Sequence, residues 1–474
     1  MKTYTYPDTP LYINGRWRGG HAPGFTVIDP ATETRIGTCA AAGPRDLDEA
    51  LASTERGFWK WRQASALERC QIMVRAADLL RERIEPIAHL MTMEQGKPLA
   101  DARAEVAAAA DLIDWFANEG HTGLGKALAP RGQTTQLLVK EPVGPVAAFV
   151  AWSFPIGQAA RKVSAALACG CSVVLVGPDA APASCAALVV AFADAGLPAG
   201  VLNLLYGSQS DIATYLIGHP TITAGSYSGP ALLGARLAAL AGVRGKSLVL
   251  ELSGHAPAIV FDDADIELAV RLLCKAKFRN AGQARFAPTR ILVQGAVYER
   301  FLDDFVEASK NMTVGNGLGD GVGMGPLVSA ARLDRMEALV PDAVDAGAAL
   351  MAGGHRMGNL GFFFWPTVLA GVTTQARVMN AEPFGPIAVV NRFDRREAAI
   401  AEVNRLRPSL ATYAYTTSEA TMRDLGRDIA SPTLFINQRD GRSLEAGLGG
   451  IGAGFANEDT LESYLQARLI SLSA

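Results

Sequence analysis

The chain has little that would commit it to a charged partner or to a membrane. Neither charge is in surplus: 44 Lys and Arg stand against 47 Asp and Glu, a net charge of -3 at pH 7. So balanced a surface gives no reason to expect nucleic acid or an anionic bilayer as a partner. Cysteines number six, Cys39, Cys70, Cys169, Cys171, Cys185 and Cys274. Apart from one C-G-C they lie far apart, without the spacing of a disulfide framework or a zinc site, so no metal is expected and a reducing cytoplasm is. Long apolar runs are missing as well. The longest, residues 163–176, is broken by Ser164, Gly170 and Ser172 and falls short of the ~20 residues of a membrane span. Met1 to Pro10 lacks the apolar core of a signal peptide, and there are no internal repeats or low-complexity segments. A soluble, intracellular protein is the expectation.

What is present is a large, well-packed chain. Its 474 residues are 49% hydrophobic and 19% charged, which implies a globular enzyme of two or three cooperating domains. Leu11 to Asp29 alternate as short strands do, with Asn14–Gly15 as a tight turn. From Asp46 to about Gly120 the apolar residues fall at helical spacing. Gln136 to Val150 reads as a strand pair around E-P-V-G-P. Strands and helices then alternate: 146–151, helix 158–169, 172–176, helix 183–195, 201–205, helix 211–217 and 221–224. Nearly continuous apolar strands in such an alternation imply a parallel sheet covered on both faces, an architecture typical of nucleotide binding. A second alternating block is expected to begin at Leu248–Leu252 and to continue through 258–261, 289–293, helix 299–308 and 388–392. The tail, Leu461 to Ala474, has the alternation of a strand that pairs elsewhere.

Six strings carry a more specific message. They are M-E-Q-G-K-P-L at 93–99, A-W-S-F-P at 151–155, L-E-L-S-G at 250–254 followed by P-A-I-V-F-D-D-A-D, K-F-R-N-A-G-Q at 277–283, E-P-F-G-P at 382–386 and L-G-G-I at 448–451. Together, in this order and over nearly the whole chain, they resemble the aldehyde dehydrogenase superfamily, and within it the succinate-semialdehyde type. The resemblance implies an α/β fold with a Rossmann-type cofactor domain (1–128 and 148–250), an α/β catalytic-type domain (251–442), and oligomerisation or bridging elements (129–147 and 443–474). It also implies NAD or NADP as cofactor and assembly as a homodimer or homotetramer.

In that family a cysteine thiolate adds to the aldehyde, an asparagine and a backbone N–H hold the oxyanion, hydride passes to the nicotinamide, and a glutamate activates water. Carried over residue by residue, the match is uneven. Glu251 stands at the general-base position, Glu382 at the carboxylate that holds the nicotinamide ribose, and Trp152 and Phe384 at cofactor-contacting positions. Asn280, Gly282 and Gln283 keep the loop that leads to the nucleophile. The nucleophile itself is absent, and Arg285 occupies its place. A guanidinium stays protonated and offers no lone pair, so it cannot replace a thiolate. Cys274, the nearest thiol in sequence, lies eleven residues away, roughly 16 Å along a helix.

Other positions depart too. Ser153 stands where the oxyanion asparagine would be, and the loss of one such donor lowers rates by about 10²–10³. Val176 replaces the lysine that holds the adenosine ribose, while Asp179 is either a ribose-binding acid that favours NAD or a solvated one. Gly225 and Ser226 match the glycine segment before a pyrophosphate-binding helix, but extra residues follow before the chain resumes as helix at Ala231; this insertion would occlude the cofactor or form a surface loop. Arg161 and Arg279 match the arginines that clamp a substrate carboxylate, with pairing to a nearby acid as the plainer reading of Arg161. The serine that the succinate-semialdehyde subgroup carries after G-G-I has no equivalent in I-G-A-G.

Two readings follow. The favoured one is a family member impaired or inactive in thiohemiacetal chemistry, its cofactor binding weakened or lost, which serves in binding or assembly. The alternative is an active NAD-dependent semialdehyde dehydrogenase, or a variant that transfers hydride without a covalent intermediate, with Glu251 taking a proton from the aldehyde hydrate.

Overall fold

Asn14 and Gly15 both hold positive φ, 51° and 76°, the geometry that N-G favours, and they close β1 (Leu11–Ile13) onto β2 (Arg16–Arg18). In the computed structural model residues 4–120, 125–127, 134–406, 411–438 and 460–473 are described. β3 (Ala22–Ile28) and β4 (Arg35–Ala41) form an antiparallel ribbon, and four helices follow: α1 (Pro44–Gln63), α2 (Ala66–Glu82), α3 (Ile84–Gln95) and α4 (Leu99–Glu119). Ser65 and Glu68 cap α2 reciprocally. The buried Trp61 donates its indole N–H to the Leu167 carbonyl at 2.8 Å, which fastens α1 to the next layer.

After β5 (Gly125–Ala127) and β6 (Thr134–Pro142) the chain alternates. The order is β7 (Val146–Phe149), α5 (Pro155–Cys169), β8 (Val173–Val176), α6 (Pro182–Asp194), β9 (Leu202–Leu205), α7 (Gln209–Gly218), β10 (Ala224–Gly229), α8 (Ala231–Val243) and β11 (Ser247–Leu252). These strands form one sheet in the order β11-β10-β7-β8-β9-β1-β2, parallel from β11 to β9. Every residue of β7, β8, β9 and β10 is buried, as a parallel sheet packed on both faces requires.

A second seven-stranded sheet, ordered β14-β15-β16-β13-β12-β17-β18, follows. Its elements are β12 (Ala256–Val260), α9 (Ile266–Phe278), β13 (Pro288–Gln294), α10 (Tyr298–Lys310), α11 (Ala330–Asp345), β14 (Ala349–Ala352), β15 (Thr367–Ala370), α12 (Arg377–Asn380), β16 (Ile387–Phe393), α13 (Arg396–Asn404), β17 (Thr412–Tyr415), α14 (Glu419–Asp428) and β18 (Leu434–Ile436). The tail forms β19 (Leu465–Ser473), paired antiparallel over nine residues with β6 and leaving Leu469 and Leu472 exposed.

Two expectations need correction. Residues 224–229, read as a strand end plus an insertion, are a fully buried strand in parallel register with β7 and β11; Pro230 then caps α8 directly. The short S-Y-S segment was misleading because its one large residue, Tyr227, packs into the core while its small neighbours fit between two strands. Likewise β11 does not open the second block. It lies at the edge of the first sheet, Glu251 opposite Ser228, because its register partner is β10. L-G-G-I, I-G-A-G, and the parts of the bridging elements at 129–133 and 443–459 lie outside the described residues.

Candidate active site

The site is built on a strained turn. As α9 ends, Asn280, Ala281 and Gly282 take left-handed backbone in succession, with φ of 52°, 54° and 69°. Left-handed conformation in a residue with a Cβ costs about 1–3 kcal/mol unless its surroundings hold it. They do. Gln95 donates to Asn280 Oδ1 at 2.7 Å, Asn280 Nδ2 donates to the carbonyls of Ser153 and Gln283, and the Gln283 amide bridges the Asn280 carbonyl and the Val328 N–H. Gly282 admits no side chain, since a Cβ there would lie 2.2 Å from the Gly385 carbonyl oxygen. Phe384, on the facing E-P-F-G-P segment, is itself left-handed at φ 47°.

This turn delivers Arg285 to Glu251. One terminal nitrogen of the guanidinium lies 3.0 Å from Glu251 Oε2, and neither side chain is more than 13% exposed. Lys162 Nζ stands 3.4 Å from the same oxygen, which also accepts a hydrogen bond from the Ser228 hydroxyl. Burial pushes the Glu251 carboxyl up, but Arg285, then Lys162 and Arg161, then the Ser228 hydrogen bond outweigh it and hold the group well below the usual carboxylate range. A carboxylate this stable is a weak proton acceptor.

Ser153 is buried and its hydroxyl has no hydrogen-bond partner among the described residues, while its carbonyl accepts from Asn280 and from Lys97 at 2.9 Å. Its neighbour Phe154 packs on Ala284 and Ala287, so the Ser153 and Arg285 segments run side by side. Arg279 lies over the Phe154 ring at 5.3 Å and 3.9 Å from Asp101. It also lines a groove of about 870 Å³ between α4, α9 and α10, together with Val270, Lys275 and Met312. Arg161 is buried on α5 and belongs to the cations acting on Glu251, so the site gathers Arg161, Arg285 and Glu251. Cys274 does not come to Arg285's aid: it packs in the second core, hydrogen-bonds toward Ser309 of α10, and burial pushes its thiol up to about 11.

Residues fit for a nicotinamide cofactor are present at one end. Glu382 Oε2 is sealed from solvent and has no hydrogen-bond partner among the described residues, an unspent acceptor of the kind a ribose diol satisfies. Burial pushes this carboxyl up to about 8, against the opposing pull of Lys277 and Arg332, and burial likewise pushes Lys277 down to about 7. Trp152 and Phe384 meet edge to face at 5.6 Å with the Arg332 guanidinium over both rings. The adenosine end is less well furnished. Val176 is buried in β8, and Asp179 is exposed and accepts from the N–H of the next residue. Gly225 and Ser226 sit inside β10 rather than at the start of a helix. Ser226 accepts from Lys162 at 2.7 Å, and the turn into α8 is made by Gly229 and Pro230.

Four residues of the site escaped sequence reasoning: Lys162, Ser228, Lys277 and Arg332. Lys162 and Lys277 each carried a legible sign, a lysine at an apolar position of a helix that must find a partner inside or give up its charge. Ser228 was hidden by the misread strand.

A model of the aldehyde dehydrogenase family matches residues 17–470. The 4-(hydroxymethyl)benzenesulfonate dehydrogenase of Comamonas testosteroni is 40% identical over 99% of both chains. The NADP(+) succinate-semialdehyde dehydrogenase of Escherichia coli is 36% identical over 94% of this chain and 90% of its own. The crystal structure of succinate-semialdehyde dehydrogenase from Burkholderia pseudomallei superposes with a TM-score of 0.93 at 33% identity, covering 98% of each chain.

Proposed function

The chain belongs to the aldehyde dehydrogenase family, and on that premise we propose that it exchanges a hydride between a small anionic aldehyde and NAD or NADP without a covalent sulfur intermediate. The carrying observation is the Arg285–Glu251 contact at 3.0 Å, a guanidinium where the resemblance requires a thiolate. The relatives' names support the substrate class, since one carries a sulfonate and the other a semialdehyde of a dicarboxylic acid. Arg279, at the end of the α4–α9–α10 groove, and Arg161, beside Glu251, are the cations that would hold such a tail. A bound nicotinamide supplies hydride chemistry, and family members use NAD(P). The chain would hold its ribose with Glu382 and flank it with Trp152 and Phe384, while Val176 leaves the adenosine end with less affinity.

The test is reduced-nicotinamide absorbance over a panel of carboxylated and sulfonated aldehydes, with and without a thiol-alkylating reagent. Turnover that survives alkylation is the expected result, and turnover abolished by alkylation would refute the non-covalent route. A second reading, a ligand-binding member without turnover, is favoured by the charge state of Glu251, held ionised and neutralised by Arg285. It predicts calorimetric binding of the same compounds with no change in absorbance. We further infer that the exposed Leu469 and Leu472 of β19 serve assembly into a homodimer or homotetramer, which light scattering would report.

A further inference from the structure

We infer that Arg285 is a carbonyl-binding cation, and that this site interconverts an aldehyde and its primary alcohol rather than an aldehyde and its acid. The inference rests on the hydride-transfer reading above and fixes its direction and product. Two donors of the site matter here. The Arg285 nitrogen 3.0 Å from Glu251 is sealed from solvent and pairs with that carboxylate without an aligned hydrogen bond, and the buried Ser153 hydroxyl has no hydrogen-bond partner among the described residues. Their two backbone segments are bound together by the packing of Phe154 on Ala284 and Ala287 and by the Asn280 bond to the Ser153 carbonyl. Buried donors on adjoining segments, one an unpartnered hydroxyl and the other a permanent cation, suit an oxygen that gains negative charge.

What the site lacks points the same way. Oxidation to the acid needs either a nucleophile that captures the aldehyde carbon or a base that deprotonates water or the hydrate. Arg285 is no nucleophile, and Glu251 is committed to Ser228, Lys162 and Arg285. Reduction needs neither. The carbonyl carbon receives a hydride from a dihydronicotinamide, which is oxidised, and a C–H bond forms. The C=O π pair moves to oxygen, where Arg285 faces the developing charge, and the oxygen takes a proton from water. The reverse reaction returns that proton to water and gives the hydride to an oxidised nicotinamide.

The test incubates the purified protein with succinate semialdehyde and NADH or NADPH deuterated at both C4 positions, and identifies the product by NMR. The expected product is 4-hydroxybutyrate with one deuterium on the carbinol carbon. Calorimetry with unlabelled 4-hydroxybutyrate provides a readout independent of turnover: Arg285→Met should weaken its binding at least tenfold, while Arg285→Lys, which keeps a cation, retains part of it. If oxidised cofactor and aldehyde give the acid while no alcohol is formed, the inference falls and the hydride-transfer reading stands. Alcohol formation and binding undiminished in Arg285→Met, with the variant as thermostable as the parent, would also overturn it. Absence of exchange in either direction would remove both.

Discussion

Replacing Arg285 with methionine tests the electrostatic core of the site. The substitution removes the strongest of the cations that hold Glu251 ionised while its oxygen remains 2% exposed or less. Stranding one member of a buried pair costs about 3–5 kcal/mol when nothing else neutralises it. Here Lys162 remains 3.4 Å away and Ser228 still donates, so roughly half of that, about 2 kcal/mol, is the expectation. If the chain unfolds as one unit, its unfolding entropy is about 1 kcal/mol/K, and the loss appears as a fall in Tm of about 2 °C. The pH dependence carries the sign. In the parent the Glu251 carboxyl lies below its unfolded value, so its stabilisation is present above the ordinary carboxylate range and is lost as pH falls through the depressed value. The variant's carboxyl rises, protonates sooner and sheds its penalty, so the gap between parent and variant is widest at neutral pH and narrows on acidification. Melting curves of the parent, Arg285→Met, Glu251→Gln and the double variant at several pH values close a double-mutant cycle. A coupling below about 0.5 kcal/mol, the size expected of independent sites, or a gap that widens with acid, would refute the pairing.

Restoring the thiol asks how much of the family's chemistry survives. Arg285→Cys should become sensitive to alkylation and begin to form acid from an aldehyde, and the further change Ser153→Asn should raise kcat by about 10²–10³; a folded double variant with no acid product would mean a remodelled pocket. Glu382→Gln removes a carboxyl that burial pushes up to about 8 and leaves largely neutral near pH 7, so it should weaken NAD(P) binding by about 0.5–1.5 kcal/mol, roughly 2- to 13-fold by calorimetry, and unchanged affinity would remove Glu382 from the cofactor. Gly282→Ala places a Cβ 2.2 Å from the Gly385 carbonyl at φ 69°, so it should destabilise by about 2 kcal/mol or more, and an unaltered Tm would show that the turn yields easily. Paired Leu469→Glu and Leu472→Glu substitutions should shift the light-scattering mass toward the monomer, and an unchanged mass would exclude β19 from the assembly.

Much of this was legible in the chain itself. The apolar runs around Val146, Val173 and Val201 announce strands covered on both sides, and N-G at Asn14–Gly15 announces its turn, because both signals are local. What failed was non-local. Tyr227 and its small neighbours read as a loop until β7 and β11 supply partners on either side, and β11 reads as the start of a new block until Glu251 is seen opposite Ser228. The candidate site divides along the same line. Glu251, Glu382 and Arg285 could be placed by motif, whereas the further partners that set their charge could not, since Lys162 comes from α5, Ser228 from β10 and Lys277 from α9. A charge state is a sum over neighbours, and sequence gives the neighbours only along the chain.

The strained turn bears on which reading of the site is the better one. Asn280, Ala281 and Phe384 each hold left-handed backbone, at about 1–3 kcal/mol apiece, against a net stability that for most domains is only about 5–15 kcal/mol. Gln95, Gln283 and the close approach of Gly282 to Gly385 exist in this fold to hold that geometry. A chain released from all chemistry here would gain stability by letting the turn relax: exchanging one buried amide would be enough to begin. Instead the turn persists beside an ionised Glu251, an unspent Glu382 oxygen and a cation aimed at the carboxylate. Strain retained around Arg285 supports the hydride-transfer reading proposed above, in which the site still positions a reacting group.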